Sequence, residues 1–238
     1  MIYLDYQATT PLAPEAREAM LRWLAAPGEG DGFANPSSSH KGGRAAAAAV
    51  EVARDQVAAL LPVGGRVFFT SGATEALNWA LLRGAEIMPG GVAGLSIEHA
   101  ASLQCLERLN ATILPVDGEG LALPPDPTLI PDNGIVAAML VNNEVGTIQP
   151  VADFVAAAHA RNSLLLCDAV QGYGRVMIPE HADLIAISAH KIYGPKGIGA
   201  LWIKDGIDLP PLMLGGAQEQ GMRSGTVSPA LCAGFGAA

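Results

Sequence analysis

The feature that most constrains the fold of this chain is a regular alternation of short, continuously apolar runs with segments of helical pattern. The apolar runs predict strands at 67–70, 94–97, 135–141, 164–167, 184–188 and 200–203. Helices are predicted at 14–24, 43–61, 75–82, 100–109, 152–160 and from Pro229 onward. Strands that are apolar throughout, rather than at every second residue, are buried on both faces. The pattern therefore predicts an α/β domain with a mostly parallel sheet flanked by helices.

Composition narrows the class of protein. The chain has 238 residues, half of them hydrophobic, which is enough for one sizeable core. Its formal net charge of -9 leaves no basic surface for a phosphate backbone, so we expect no nucleic-acid partner. Three cysteines without CxxC spacing predict reduced core thiols and favour a cytoplasmic location. Asp5 stands where a signal peptide needs basic residues, and no apolar run is long enough for a span, so we expect no membrane association.

Polar residues that follow an apolar run are candidate site residues, because parallel α/β folds bind ligands beyond the carboxyl ends of their strands. The small residues and free N–H groups of the segment 70–74 (TSGAT) suit a phosphate. The alternative interpretation is an ordinary Ser or Thr helix cap. Asp168 follows the run 164–167. A buried carboxylate there needs either a cation, such as a protonated pyridine nitrogen, or several backbone donors.

Two further strand ends carry basic side chains. Lys191, with Ser188 and His190, is interpreted as ending a buried strand. Burial would lower the pKa of its amine, as Schiff-base chemistry requires, and a surface lysine is the alternative. His99 is either a plate over a flat ring or a structural histidine. The run 194–199 (GPKGIG) lacks the dinucleotide and phosphate-loop spacings, which argues against nicotinamide and nucleoside triphosphates.

A set of short motifs runs in order along essentially the whole chain. They are YLD at 3–5, ATT at 8–10, NPSS at 35–38 with His40, TSGATE at 70–75, EH at 98–99, NNE at 142–144 with GT at 146–147, DAVQ at 168–171, SAHK at 188–191, YGPKG at 193–197, GG at 215–216, QE at 218–219 and RSGT at 223–226. Together they resemble the cysteine desulfurases of iron–sulfur cluster assembly, within the class V aminotransferase group of fold-type I pyridoxal-phosphate enzymes.

This resemblance implies an enzyme with the large domain of a fold-type I transferase and pyridoxal 5'-phosphate as its cofactor, with no metal. Lys191 would hold the cofactor covalently and move the proton at the substrate α-carbon, Asp168 would keep the ring nitrogen protonated, and His99 would stack on the ring. Asn143 and Gln171 would bind the ring hydroxyl region. The implied cofactor-binding set is Ala73, Thr74, His99, Asn143, Asp168, Gln171, Ser188, His190, Lys191 and Thr226. Ala73, Thr74, Ser188 and His190 would hold the phosphate.

The resemblance also implies partners and domains. Thr226 would reach the phosphate of a neighbouring subunit, so a homodimer is expected. The substrate would be L-cysteine, converted to L-alanine and an enzyme-bound persulfide for a sulfur-acceptor scaffold protein. The expected divisions are an N-terminal segment at 1–14, a cofactor-binding large domain at 15–228, and at 229–238 the start of a helix leading to a small domain. The family's small domain supplies an arginine and a loop cysteine that are not identified here, so a truncated form is expected.

Two other functions remain open. One is a different class V enzyme, such as a selenocysteine lyase, a kynureninase or an aminotransferase. The other is a non-catalytic cofactor-binding scaffold subunit. The motifs at 193–197 and 223–226 favour the desulfurase, and the retention of Lys191, Asp168 and His99 together argues against a pure scaffold.

Overall fold

The computed structural model describes residues 2–26, 29–30 and 32–238. Within these residues the chain forms seven strands and six α-helices. The strands are β1 (Gly65–Thr70), β2 (Val92–Leu95), β3 (Thr112–Leu114), β4 (Ile135–Met139), β5 (Leu164–Asp168), β6 (Leu184–Ser188) and β7 (Gly199–Lys204). The helices are α1 (Pro14–Leu21), α2 (Lys41–Ala58), α3 (Ala73–Ile87), α4 (Ala100–Arg108), α5 (Val151–His159) and α6 (Pro229–Ala237).

The strands form one sheet in the order β1-β7-β6-β5-β4-β2-β3. Strand β7 is antiparallel to both of its neighbours, and the other pairs are parallel. Because β7 runs against β1 and β6, its first residue, Gly199, lies beside the last residues of both, Thr70 and Ser188. The carboxyl ends of β1, β2, β4, β5 and β6 therefore share one edge of the sheet, where ligands of α/β folds bind.

Each face of the sheet carries its own core, as the continuous apolar strands predict. One face packs against α2, α5 and α6, with Trp202, Phe154 and Phe235 buried there. The other packs against α3 and α4 and buries Trp79, whose indole N–H donates to the Pro210 carbonyl at 2.9 Å. The predicted mostly parallel sheet with helices on both faces is confirmed.

The six predicted strands are present, with ends shifted by no more than two residues. The short strand β3 and the antiparallel direction of β7 were not predicted. The first helix ends at Leu21 rather than at residue 24. The second begins at Lys41, because the His40 ring accepts the Gly43 N–H at 3.2 Å and caps it. Gly43 is needed there, since a Cβ atom would lie 2.2 Å from the Ser38 carbonyl oxygen.

Among the described helices, none combines the length and the apolar composition that crossing a bilayer would require.

Candidate active site

A cavity of about 580 Å³ lies at the edge of the sheet where β1, β5 and β6 end and β7 begins. Nine of the ten residues predicted to bind the cofactor line it. They are Ala73, Thr74, His99, Asn143, Asp168, Gln171, Ser188, His190 and Lys191. The tenth, Thr226, is exposed and does not line this cavity. Segments far apart in the chain thus place their polar residues around one space.

The turn between β1 and α3 offers an anion site. Helix α3 begins at Ala73, and among the described residues no side chain caps its N-terminus. Its first N–H groups and its positive dipole end are therefore available to a ligand, and the alternative of a Ser or Thr helix cap is not what the structure shows. The turn lies directly against β7, because a Cβ atom on Gly199 would be 2.8 Å from Gly72 Cα. Only glycine at 199 permits this approach.

Behind the turn, Glu75 in the first turn of α3 accepts the Ser71 N–H at 3.0 Å and two bonds from Arg223 at 2.6 and 3.1 Å. Burial raises the pKa of Glu75, but the bonds from Arg223 and Ser71 outweigh it, and the pKa is lowered. Glu75 is thus an anion that holds the turn in place and ties it to the RSGT segment.

Lys191 corrects one sequence prediction. Strand β6 ends at Ser188, and Lys191 lies three residues later on a single 3₁₀ turn, Ala189–Lys191. The turn directs the half-buried side chain into the cavity, where Nζ donates to the carbonyls of Gln7 and, at 3.0 Å, Ala8. Burial lowers the pKa of the amine, and Asp168 partly offsets that effect. The result is an amine that loses its proton more easily than a surface lysine.

Asp168 is the last residue of β5 and is 5 % exposed. Its Oδ1 accepts the Val170 N–H at 3.0 Å. Burial raises the pKa of Asp168, against the opposing effects of the Val170 N–H, His99 and Lys191. A cation placed beside this carboxylate would be stabilised by a charge that has few protein partners of its own.

His99 has the structural role that its sequence position allows, and its role as a plate over a flat ring stays a prediction. Its Nδ1 accepts the Ala101 N–H at 3.1 Å, so the ring caps α4. The same ring forms part of the cavity wall. The cap restricts the ring orientation, which is what a rigid stacking surface needs. The Gln171 side chain is also held in place, because its Nε2 donates to the Gln7 carbonyl at 2.9 Å.

The N-terminal segment is the part of the site that residue patterns did not assign. Ala8 and Thr9 line the cavity, and the Thr9 hydroxyl is 3.1 Å from His190 Nδ1. Thr10 donates its N–H to the His190 carbonyl at 2.9 Å. Burial, followed by the charges of Lys191 and Lys196, lowers the pKa of His190. The available signal was the ATT motif at 8–10, which carries no recognisable chemistry of its own.

The cysteines lie elsewhere. Cys105, Cys167 and Cys232, all within the described residues, are buried and none lines the cavity. Burial raises the pKa of each thiol, and at Cys167 the neighbouring Asp168 carboxylate raises it further. None of the three is therefore a ready thiolate nucleophile.

The fold and this strand-end cavity define the class of protein to which the chain belongs. The family model described as "Aminotransferase class-V" matches residues 2–238, and the chain belongs to that family. Similar curated proteins include the "Cysteine desulfurase IscS" of Rickettsia akari, 40% identical over 255 residues and covering 100% of this chain. The "Cysteine desulfurase" of Cereibacter sphaeroides is 40% identical over 240 residues and covers 94% of this chain. In both cases the match spans 61% of the relative's length.

Solved structures show the same relationship. A "NIFS-LIKE PROTEIN" superposes with a TM-score of 0.90 at 35% identity, over 99% of this chain and 67% of that one. A structure titled "SspA in complex with cysteine" has a TM-score of 0.87 at 33% identity, over 99% of this chain and 71% of that one. The fold-type I architecture expected from the sequence is confirmed by these similarities.

Proposed function

We propose that the cavity binds pyridoxal 5'-phosphate and serves a cysteine desulfurase, which converts L-cysteine to L-alanine and forms a persulfide on a thiol other than those of Cys105, Cys167 and Cys232. One observation carries the proposal. The Lys191 amine, the Asp168 carboxylate and the uncapped N-terminus of α3 face a single cavity. No one of these features is diagnostic, but together they match the three groups of pyridoxal phosphate: its aldehyde, its ring nitrogen and its phosphate.

The donor set fits this cofactor. A pyridine ring that carries a phosphate and an aldehyde needs an anion site, a carboxylate for the ring nitrogen and an amine of lowered pKa for the aldehyde. These are the N-terminus of α3 with Thr74, Asp168, and Lys191. The cavity volume of about 580 Å³ is in the range of small-molecule sites.

When bound, pyridoxal phosphate supplies an electron sink for negative charge at the substrate α-carbon. Asp168 would keep the ring nitrogen protonated. Lys191 Nζ would hold the cofactor and move the proton at the substrate α-carbon, and the burial that lowers the pKa of this amine favours the unprotonated form that the role needs. The His99 ring, held by its bond from the Ala101 N–H, would cover one face of the cofactor, and Asn143 and Gln171 would bind its hydroxyl edge. Ser188 and His190 would complete the phosphate site with Ala73 and Thr74.

The substrate class is inferred from relatives. Two similar proteins are named cysteine desulfurases, and one similar structure is titled as a complex with cysteine. These names favour L-cysteine over the substrates of other class V enzymes. We keep an aminotransferase or selenocysteine lyase as the second candidate, because none of the described residues that line the cavity distinguishes a sulfur atom.

A homodimer, a sulfur-acceptor scaffold protein and a cytoplasmic location belong to the same proposal. The support for the dimer is the position of Thr226, exposed at the surface in a segment that Glu75 anchors through Arg223. The support for a reducing compartment is that all three cysteines are free thiols. Residues 15–228 are proposed as the cofactor-binding domain.

The first prediction concerns the lysine. After incubation with pyridoxal phosphate and reduction with borohydride, peptide mapping is expected to find the cofactor on Lys191 and not on Lys41, Lys196 or Lys204. Lys196 is the matched control, because it lines the same cavity but is exposed. Lys196→Ala should keep the label and Lys191→Ala should lose it. Equal labelling of the wild type and Lys191→Ala would refute the proposal.

The second prediction concerns the thiols. After incubation with L-cysteine, mass spectrometry is expected to find no persulfide on Cys105, Cys167 or Cys232, because burial suppresses each thiolate and none faces the cavity. Sulfide and alanine are quantified in parallel. A persulfide on one of these residues, lost together with product formation when that residue alone is changed to alanine, would identify a nucleophile that we have misjudged.

A further inference from the structure

Glu98 is a buried carboxyl group that the proposed mechanism does not use. It lies between β2 and α4 and is 4 % exposed. Its Oε1 accepts the backbone N–H of Met139, and its Oε2 has no hydrogen-bond partner among the described residues. No Lys, Arg or His within the described chain forms a salt bridge with it. A carboxylate with a single donor and no cation is costly to bury.

The bond to Met139 places Glu98 next to the proposed ring-nitrogen partner. Met139 is the last residue of β4 and pairs with Asp168 in β5. The following residue, Leu140, donates its N–H to the Asp168 carbonyl at 2.8 Å. Glu98 therefore holds the strand end that in turn holds Asp168. Loss of its side chain would leave the buried Met139 N–H without a partner.

The charges around the two carboxyl groups differ. The Val170 N–H, His99 and Lys191 all favour the ionised form of Asp168. Glu98 faces the carboxylate of Asp168 and the Cys167 thiol on β5, and Ser102 on α4. When two buried carboxyl groups are close, one keeps a proton, and it is the group with fewer cations and donors.

We propose that Glu98 is a positioning residue of this site: as a neutral acid it fixes the end of β4 against Asp168 and leaves the negative charge of the pair on Asp168. The role of Asp168 rests on the proposed function, whereas the protonation of Glu98 does not. The pKa of Glu98 agrees with this assignment. Burial and then the Asp168 charge raise it to about 8, although the Met139 N–H and Ser102 act to lower it.

The second carboxyl oxygen of Glu98 supports this assignment. Glu98 Oε2 is buried and forms no hydrogen bond among the described residues, and the fully buried Ser102 Oγ forms none either. A negative charge on Glu98 would therefore be stabilised by the Met139 N–H alone, which favours the neutral acid.

The third prediction is read from the protein without cofactor. Infrared difference spectra of wild type against Glu98→Gln are expected to show the C=O stretch of a protonated carboxylic acid at pH 6.5, lost as the pH rises through about 8. Asp168→Asn is the control and should retain the band. Absence of the band in the wild type at pH 6.5, or its persistence in Glu98→Gln, would overturn the assignment.

Thermal unfolding gives a second, independent readout. The unfolded chain loses the Glu98 proton near pH 4.5, whereas the folded chain retains it to about pH 8, so Glu98 makes folding less favourable as pH rises through that window. Glu98→Gln cannot ionise. The Tm of this variant relative to wild type is therefore expected to increase from pH 5 to pH 8, and a constant or falling difference would contradict the proposal.

Cofactor titration tests the positioning role. Glu98→Gln keeps a neutral acceptor for Met139 and should bind pyridoxal phosphate as tightly as the wild type, whereas Glu98→Ala should weaken binding about tenfold. Equal affinities of all three, or equal losses in both variants, would refute positioning by a neutral acid. Failure of the wild type itself to bind would refute the proposed function, and the infrared and Tm results would still decide the state of Glu98.

Discussion

Changing Glu219 to alanine is expected to lower the free energy of unfolding by about 3–5 kcal/mol, because it removes the buried partner of a buried arginine. Glu219 accepts bonds from both terminal nitrogens of Arg54, at 2.7 and 2.8 Å, and the backbone N–H of Phe69 at 2.7 Å. The side chains of Arg54 and Glu219 are 11 % and 2 % exposed. Denaturant unfolding measures the effect.

Glu51→Ala is the matched control. Glu51 pairs with the same guanidinium at 3.1 Å, but its side chain is 62 % exposed, so its loss should cost less than about 1 kcal/mol. The buried pair also holds the backbone of Glu219 and Gln220 at positive φ angles of 47° and 58°, which non-glycine residues adopt at a cost. Similar losses in the two variants would show that burial does not determine the strength of these pairs.

Replacing Asp168 with asparagine is expected to have two effects of opposite sign. Binding of pyridoxal phosphate should weaken by about 2–5 kcal/mol, since the cationic ring nitrogen would lose its charged partner. The protein without cofactor should become more stable at neutral pH. Burial raises the pKa of Asp168, so its ionisation costs folding energy as pH rises above its ordinary pKa, and asparagine removes that cost. Cofactor titration and Tm measurements at pH 5 and pH 8 test the two effects separately.

Asp183→Asn is the matched control for the stability change expected of Asp168→Asn. Asp183 is also buried, but its oxygens lie 2.7 Å from His159 Nε2 and 3.1 Å from Lys204 Nζ. Its neutralisation should destabilise the protein without cofactor, because the charge has partners within the fold. If Asp168→Asn also destabilises the protein, then Asp168 already has a structural partner and the proposed role as an open site for a cation is wrong.

The positions of the strands, and the polar residues that follow their carboxyl ends, can be predicted from the amino-acid sequence. Continuous apolar runs at 135–141, 164–167 and 184–188 are local signals of strands buried on both faces, and parallel strands bring their carboxyl ends to one edge. For that reason the sequence alone predicts that the residues around Asp168 and Lys191 are neighbours, and their roles toward a cofactor stay predictions.

The contacts that hold these residues in place, in contrast, join segments that are distant in the sequence. The antiparallel insertion of β7 depends on pairing with two strands distant in sequence, and a single strand carries no signal of its direction. The contact of Gln7 and Ala8 with Lys191 spans more than 180 residues, and the pairing of Glu98 with Met139 spans 41. Local propensity and periodicity act over a few residues, whereas these contacts form only when separate elements pack. The burial that raises the pKa of Glu98 and lowers that of Lys191 arises from the same packing, so the residues adjacent in sequence do not predict it.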